Sequence, residues 1–266
     1  MRRKLTLGLG LVAVLAVGFA AVAVAKNGQT KVVVGKLELT FGGGFSPSKM
    51  PRSEYVPATA SLFGKIATSD GSHPPAFRET VIDVDKDLEV NVKGLPICKP
   101  GELEATNTSA ALKACGDTLL GSGIAHAEIA FPEQKPLKVA SPLKVFNGGE
   151  SGGKVKLLIH TFITVPVPAA IVTDVTIARK GSGLHSIAKI PVIAGGSGSA
   201  IDFNFKLGRT YSYKGKKVSY FEARCPDGVF KVNSPKTVFK NEAATPGFEP
   251  VTVLRGSVAL PCTPKG

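Results

Sequence analysis

Tryptophan is absent from this chain, and only 4 of its 266 residues are tyrosine. Sugar-binding platforms and surfaces that stack nucleobases are built largely from these two side chains. Their scarcity argues against an aromatic-lined carbohydrate platform and against a base-stacking nucleic-acid surface. Acidic residues are also in deficit, with 20 Asp and Glu against 33 Lys and Arg, which gives a formal net charge of +13.

Motifs with established chemistry are missing as well. The sequence has no P-loop, no dinucleotide fingerprint between a strand and a helix, no H-E-x-x-H zinc motif and no closely spaced cysteine pair. It also has no specific nucleic-acid-binding motif. The run Gly195 to Ser199 is close to a nucleophile elbow, but Ser199 stands where that motif requires glycine. Apart from calcium, considered below, the sequence predicts no cofactor.

Long apolar runs are confined to the N-terminus. Three basic residues after Met1 precede the apolar stretch Leu5 to Val22, and Ala23-Val24-Ala25 supplies the small-x-small pattern of a signal-peptidase site. We predict a signal peptide over residues 1–25 and a secreted or extracytoplasmic mature chain. The stretch is long enough to span a bilayer, so an uncleaved membrane anchor is the alternative.

The predicted compartment decides how the four cysteines are interpreted. An even number of cysteines in an oxidising space indicates disulfides. Of the three possible connectivities, we favour the one that closes the shortest loops, Cys98 with Cys115 and Cys225 with Cys262. The other two pairings, and free thiols, remain open at this point.

Hydrophobic periodicity favours an all-β fold of mainly antiparallel strands. Apolar residues alternate with polar ones in stretches such as Lys31 to Phe41 and Val251 to Leu260, and 30 glycines and 19 prolines punctuate the chain. One segment departs from this pattern. Asn107 to Cys115 has polar capping residues followed by Ala and Leu at helical spacing, which predicts one short helix.

The charge excess is unevenly distributed along the chain. Residues 26–146 carry 14 basic and 13 acidic side chains, whereas residues 147–266 carry 16 basic and 7 acidic ones. The shift coincides with a glycine-rich run at 147–153, which is typical of a linker or a long hairpin turn. We therefore predict two packed β-sandwich-like halves, 26–146 and 147–266, with one large sandwich shared by both as the alternative.

The basic second half predicts an anionic partner such as a cell-wall polymer or a membrane surface. The best local candidate is a predicted turn flanked by Tyr211 and Tyr213, because aromatic rings beside cations suit such a contact. The simpler alternative is a solvated hairpin tip that keeps the protein soluble. The candidate polyanion-binding residues are Arg209, Lys214, Lys216 and Lys217.

Alternating aspartates form the one candidate metal site. Asp83, Asp85 and Asp87 would lie on one face of a strand, about 7 Å apart. Calcium prefers oxygen ligands of this kind, but the glycine and downstream glutamate of an EF-hand loop are missing. A solvated strand face is the competing interpretation.

Histidines supply the only sequence-level support for catalysis. His126 and Glu128 would share a strand face and could serve as an acid–base pair. His160 lies in an apolar strand and is expected to be a buried or edge-facing side chain and not a ligand. We favour a non-enzymatic envelope or extracellular binding or structural module. The alternatives are a secreted hydrolase with a site assembled from distant residues and a carrier of apolar ligands.

Four segments spread over the mature chain carry a resemblance to known sequences. They are Gly94-Leu95-Pro96-x-Cys98, Lys144 to Gly148, Ile190 to Gly196 and Ala223-Arg224-Cys225-Pro226. On these segments the chain resembles a group of uncharacterised exported β-rich proteins found in actinobacterial genomes. The resemblance implies export and paired cysteines, and it brings no activity or catalytic residues.

Overall fold

The computed structural model of the protein describes residues 28–266. The signal peptide predicted for residues 1–25 lies outside the described residues. Within the described part, no helix is both long and apolar enough to cross a membrane. Strands dominate there and α1 (Thr108–Cys115) is the only α-helix, so the all-β prediction with one short helix is confirmed.

The described residues form nineteen strands. In chain order they are β1 (Gln29–Val34), β2 (Leu37–Ser46), β3 (Lys49–Pro51), β4 (Val56–Pro57), β5 (Thr59–Thr68), β6 (Ala76–Val84), β7 (Leu88–Val90), β8 (Leu119–Phe131), β9 (Gln134–Ser151), β10 (Lys154–Ile163), β11 (Ala169–Lys180), β12 (Gly183–Lys189), β13 (Gly198–Leu207), β14 (Thr210–Tyr213), β15 (Lys216–Ser219), β16 (Phe221–Ala223), β17 (Val229–Lys240), β18 (Val251–Pro261) and β19 (Thr263–Lys265). Short 3₁₀ segments occupy Pro100–Glu102, Gly116–Thr118 and Ala194–Gly196.

Twelve of these strands form one antiparallel sheet in the order β1-β2-β5-β13-β8-β9-β10-β11-β12-β6-β17-β18. Its edge strands β1 and β18 lie against each other, so the sheet is nearly closed. The absence of a side chain at Gly256 of β18 makes this approach possible, because a Cβ there would stand 2.7 Å from a methyl carbon of Val32 in β1. Glycine at this position therefore lets the two edges meet.

The sheet does not follow the predicted division into residues 26–146 and 147–266. Strand β9 runs through residue 147, and a turn at Gly152-Gly153 joins it to β10. Strand β13 of the second half lies between β5 and β8, and β6 of the first half lies between β12 and β17. Strand pairing depends on backbone hydrogen bonds and cross-strand side-chain contacts, so a shift in net charge need not mark a boundary.

The two ends of the nearly closed sheet carry different connections. At the end that we call the hairpin end, β13 finishes at Leu207 and the hairpin of β14 and β15 follows. The described chain also begins there, because Gly28 accepts a hydrogen bond from the Gly43 N–H, 2.9 Å away, near the same edge. The opposite end, the loop end, carries the connections 69–75, 164–168 and 241–250.

A small sheet of β4, β16 and β7 packs into the main core at the hairpin end. Phe221 and Leu88 of this sheet belong to the same buried cluster as Val145 and Leu157 of the large sheet. Burial of each such side chain contributes about 1.5–3 kcal/mol. Tyr220 is completely buried beside them, and its hydroxyl has no hydrogen-bond partner among the described residues. Burial raises the pKa of Tyr220 well above its usual range.

Both predicted disulfides, Cys98–Cys115 and Cys225–Cys262, are present. The second joins the segment after β16 to the end of β18, close to the parallel pairing of β19 with β3. Two disulfides are compatible with an extracytoplasmic location.

Helix α1 covers part of the large sheet. The Asn107 side chain accepts a hydrogen bond from the Ala110 N–H, 2.9 Å away, and so caps the helix. Ala111 and the disulfide then pack against Phe146 and Leu158 of β9 and β10. The predicted helix is therefore confirmed, together with its capping residue.

Candidate functional site

The basic segment predicted as a polyanion contact folds into the two-stranded hairpin of β14 and β15. Lys214 and Gly215 both have positive φ, 49° and 72°, as in the two-residue type I′ turn that suits the twist of antiparallel strands. The Lys214 ammonium lies 5.5 Å from the centroid of the Tyr213 ring. The turn therefore presents a lysine at its tip, over an aromatic face.

Two tyrosines attach the hairpin to the segment that follows β7. The Tyr211 hydroxyl donates to the Lys93 carbonyl at 3.0 Å and lies 3.3 Å from the Asn91 carbonyl. Burial raises the pKa of Tyr211 above its usual range, so the hydroxyl stays protonated and remains a donor at neutral pH. The Tyr213 ring packs on Gly94, where a Cβ would stand 2.1 Å from the ring.

Arg209 has a different role from the one predicted. It lies at the base of the hairpin, where its guanidinium donates to the carbonyls of Leu119, at 3.2 Å, and Asp117. Its own carbonyl accepts a hydrogen bond from the Tyr220 N–H at 2.7 Å. The guanidinium thus holds the hairpin base against the start of β8, and the structure does not place it among the lysines of the tip.

The three lysines of the hairpin are exposed. Tyr213 lies opposite Lys216 and Ser212 lies opposite Lys217, so the two lysines project from opposite faces of the hairpin. Within the described part of the chain, no carboxylate oxygen lies within 4.0 Å of the nitrogens of Lys214, Lys216 or Lys217. Other lysines do have a carboxylate at 2.7–3.9 Å, namely Lys31, Lys36, Lys138, Lys156, Lys180 and Lys236.

Asp83, the first residue of the predicted calcium site, is engaged by a histidine and a lysine of the protein. Its carboxylate lies 2.5 Å from His185 Nδ1 and 3.4 Å from Lys180 Nζ. Burial acts to raise the pKa of Asp83, but the hydrogen bond from His185 and the charge of Lys180 outweigh it and lower the pKa. Asp83 is therefore a carboxylate at neutral pH with its charge already compensated.

Asp85 and Asp87 lie in the connection between β6 and β7, beyond the strand on which they were predicted. Asp85 accepts the Lys231 N–H at 2.8 Å, and buried Asp87 accepts Arg224 Nε, also at 2.8 Å. The three aspartates do not form a ligand cluster. Among the described residues, the only three potential metal ligands that lie together are Cys98, Glu102 and Cys115, and both sulfurs of that set belong to a disulfide.

The predicted pair of His126 with Glu128 is not formed. His126 Nδ1 lies 2.6 Å from Asp202 of β13, and Glu128 instead lies 3.0 Å from Nδ1 of His73, which is buried. Both partners are more than fifty residues away in sequence, so only the order of strands in the sheet brings them together. No serine hydroxyl is hydrogen-bonded to these imidazoles in the part of the chain that the structure describes.

His160 is completely buried, as predicted, beneath the segment that leads into α1. Its Nε2–H donates to the Thr106 carbonyl at 2.9 Å, and its Nδ1 has no hydrogen-bond partner among the described residues. Burial lowers the pKa of His160, and the hydrogen bond to Thr106 offsets this only in part. The imidazole is therefore neutral at pH 7.

The best-formed recesses of the described surface are open grooves. One lies beside Asp83 and Lys180, and the other lies between Asn107 and Phe162. Neither is the enclosed apolar cavity that a carrier of apolar ligands requires.

The hairpin is the best-defined candidate site, since it joins exposed cations to a fixed support. Sequence pattern identified its lysines but not Lys93, Gly94 or Ile97 of the supporting segment, which carry no local signal of their proximity. The resemblance to exported actinobacterial proteins stays a prediction. Comparison with protein-family models, with curated proteins and with solved structures found no match to the chain.

Proposed function

We propose that this is an exported, non-enzymatic protein of the cell envelope or extracellular space that binds anionic material through the hairpin of β14 and β15. The two disulfides are compatible with such a location. Residues 26–266 carry 30 basic and 20 acidic side chains, and this net charge of +10 favours association with polyanions over long range.

The observation that carries the proposal is the state of the three hairpin lysines. Lys214, Lys216 and Lys217 are exposed and have no carboxylate partner in the described part of the chain, while Tyr211 and Tyr213 fix the strand beside them. Because the hairpin backbone is already held in place, only the lysine side chains lose conformational entropy when they meet an anionic surface.

The test is retention of the mature protein on purified cell wall and on anionic vesicles as the salt concentration is raised. We expect strong retention at about 50 mM salt and release by about 0.5 M, because added ions screen exposed charges. An uncharged matrix serves as the control for non-specific adhesion. Absence of binding to both materials at low salt would overturn the proposed function.

A further inference from the structure

An exposed apolar side chain lies close to the basic hairpin. Ile97 is 58% exposed, although it packs on Gly149, where a Cβ would stand 2.9 Å from its terminal carbon. It follows Gly94, the residue in contact with the Tyr213 ring, by three positions. Three residues span at most about 10 Å, so Ile97 lies within that distance of the Gly94 backbone, at the hairpin end of the sheet.

A fourth lysine completes this surface. The side chain of Lys93 is exposed, and its carbonyl receives the Tyr211 hydroxyl. We call Lys93, Ile97 and the lysines on both faces of the hairpin tip, Lys214, Lys216 and Lys217, the basic–apolar surface. Surfaces that combine lysines with an apolar side chain bind anionic bilayers, because headgroups attract the cations while the apolar group leaves water. A hydrated anionic polymer would attract the same lysines but would bury little of Ile97.

If residues 5–22 stay as an uncleaved anchor, the topology also places the bilayer at this end. Gly28, the first described residue, lies at the hairpin end, and the apolar run Leu5 to Val22 precedes it closely in the sequence. In a chain that keeps this run as an anchor, the hairpin end is the one held next to the bilayer. In the cleaved chain, the basic–apolar surface alone would provide the attachment.

We propose that the basic–apolar surface docks the protein on a membrane of anionic phospholipids, with the hairpin lysines at the headgroups and Ile97 in the interfacial layer. The inference rests on the proposed function and names its partner. The proposed partner is a lipid surface, and the experiment below distinguishes it from a soluble anionic polymer.

The experiment measures binding of residues 26–266 to vesicles of phosphatidylglycerol and phosphatidylcholine, with pure phosphatidylcholine vesicles as the uncharged control. The triple variant Lys214→Gln, Lys216→Gln, Lys217→Gln should bind about 100-fold more weakly, since each lysine near an anionic membrane is worth roughly a fivefold gain. The charge-matched control changes Lys135, Lys189 and Lys240, three exposed lysines towards the loop end, to Gln. It should lose much less affinity.

A second variant separates lipid from polymer. Ile97→Ser should weaken vesicle binding about tenfold and leave binding to a soluble polyglycerol phosphate unchanged. The arginine triple variant Lys214→Arg, Lys216→Arg, Lys217→Arg should retain vesicle binding, which shows that the glutamine variants lose charge and not structure.

The outcomes are distinct. Equal loss in the hairpin and loop-end variants would overturn the assignment of the surface. Polymer binding as tight as vesicle binding, with no effect of Ile97→Ser, would overturn the membrane proposal and leave the proposed function standing. No binding to vesicles, polymer or cell wall at low salt would overturn both.

Discussion

The loop end and the hairpin end fasten their connections by different means. At the loop end, the connections are held by carboxylate contacts in the pairs Lys36–Asp70, His73–Glu128 and Arg78–Glu242. At the hairpin end, the hairpin is held by tyrosine hydroxyl and ring contacts and by the Arg209 guanidinium on backbone carbonyls. The second arrangement leaves the lysines of the hairpin free of carboxylates in the described structure. The hairpin end has ion pairs of its own, such as Arg224 with Asp87 at 2.8 Å. The contrast therefore concerns the hairpin itself, whose lysines take no part in holding it.

The largest effect should come from the disulfide at the hairpin end. Replacing Cys225 and Cys262 with Ala should cost about 4 kcal/mol of unfolding free energy, since the bridge closes a loop of 37 residues. The Cys98–Cys115 bridge spans 17 residues and should cost about 3 kcal/mol by the same relation. Urea unfolding of the two double variants measures the difference. A larger loss from the shorter loop would contradict the loop-length relation on which both values rest.

At the loop end, the largest effect should come from the buried pair of His73 and Glu128. Glu128→Ala leaves a buried imidazole without its acceptor and should cost about 3 kcal/mol. The double variant with His73→Ala should cost less than the sum of the two single variants, because the pair is coupled. Additive losses in a double-mutant cycle would show that the pair does not fasten the loop end.

Gly94→Ala tests the support of the hairpin. The new Cβ would meet the Tyr213 ring at 2.1 Å, and φ at Gly94 is +80°. Gly71→Ala is the matched control, because Gly71 has φ +73° but nothing within 4 Å of the added Cβ. The backbone strain alone should cost each variant about 1–2 kcal/mol, and Gly94→Ala should lose more. Equal losses of stability in thermal unfolding would show that the contact with Tyr213 does not contribute to the difference.

The pH dependence of stability should reflect His160, which lies buried under α1. Burial lowers the pKa of His160 in the folded state, so the unfolded chain takes up its proton first as the pH falls. The unfolding free energy should therefore fall below about pH 6.5, by at most about 1.4 kcal/mol per pH unit from this group. His160→Gln, which keeps an N–H donor, should flatten this part of the pH profile. An unchanged profile would exclude His160 as its source.

The smallest effect should come from the exposed pair at the loop end. Hydrogen bonds from Lys36 and Ser72 hold the pKa of Asp70 well below its usual range. Lys36→Met should raise the pKa of Asp70 towards its ordinary value, as measured by NMR titration, without a resolvable change in Tm. Such exposed pairs are screened by solvent and contribute little to stability. A large fall in Tm would show that this pair fastens its loop more strongly than its exposure suggests.

Local sequence patterns predicted the elements whose signals are local. The alternation in β18, the capped helix at Asn107 and the two short-range disulfides all depend on residues that are close in sequence. The stretch Lys31 to Phe41, however, was predicted as one strand and contains a turn at Gly35-Lys36. Valine and leucine continue on both sides of that turn, so hydrophobic periodicity alone conceals it.

Contacts that depend on strand order could not be predicted in this way. The pairing of His126 with Asp202 requires β8 beside β13, and the contact of Tyr213 with Gly94 requires the hairpin to fold onto the segment after β7. Residue spacing along the chain carries no information on either neighbour. The sequence therefore revealed the charge pattern of the candidate site but not the segment that holds the hairpin in place.

The most direct test of the central claim is the acetylation rate of individual lysines, measured by mass spectrometry on the native protein with and without anionic vesicles. If the hairpin docks on the membrane, anionic vesicles should slow the acetylation of Lys214, Lys216 and Lys217. The acetylation rates of Lys135, Lys189 and Lys240 should stay unchanged. Equal protection of both sets, or protection of the loop-end lysines alone, would contradict this prediction.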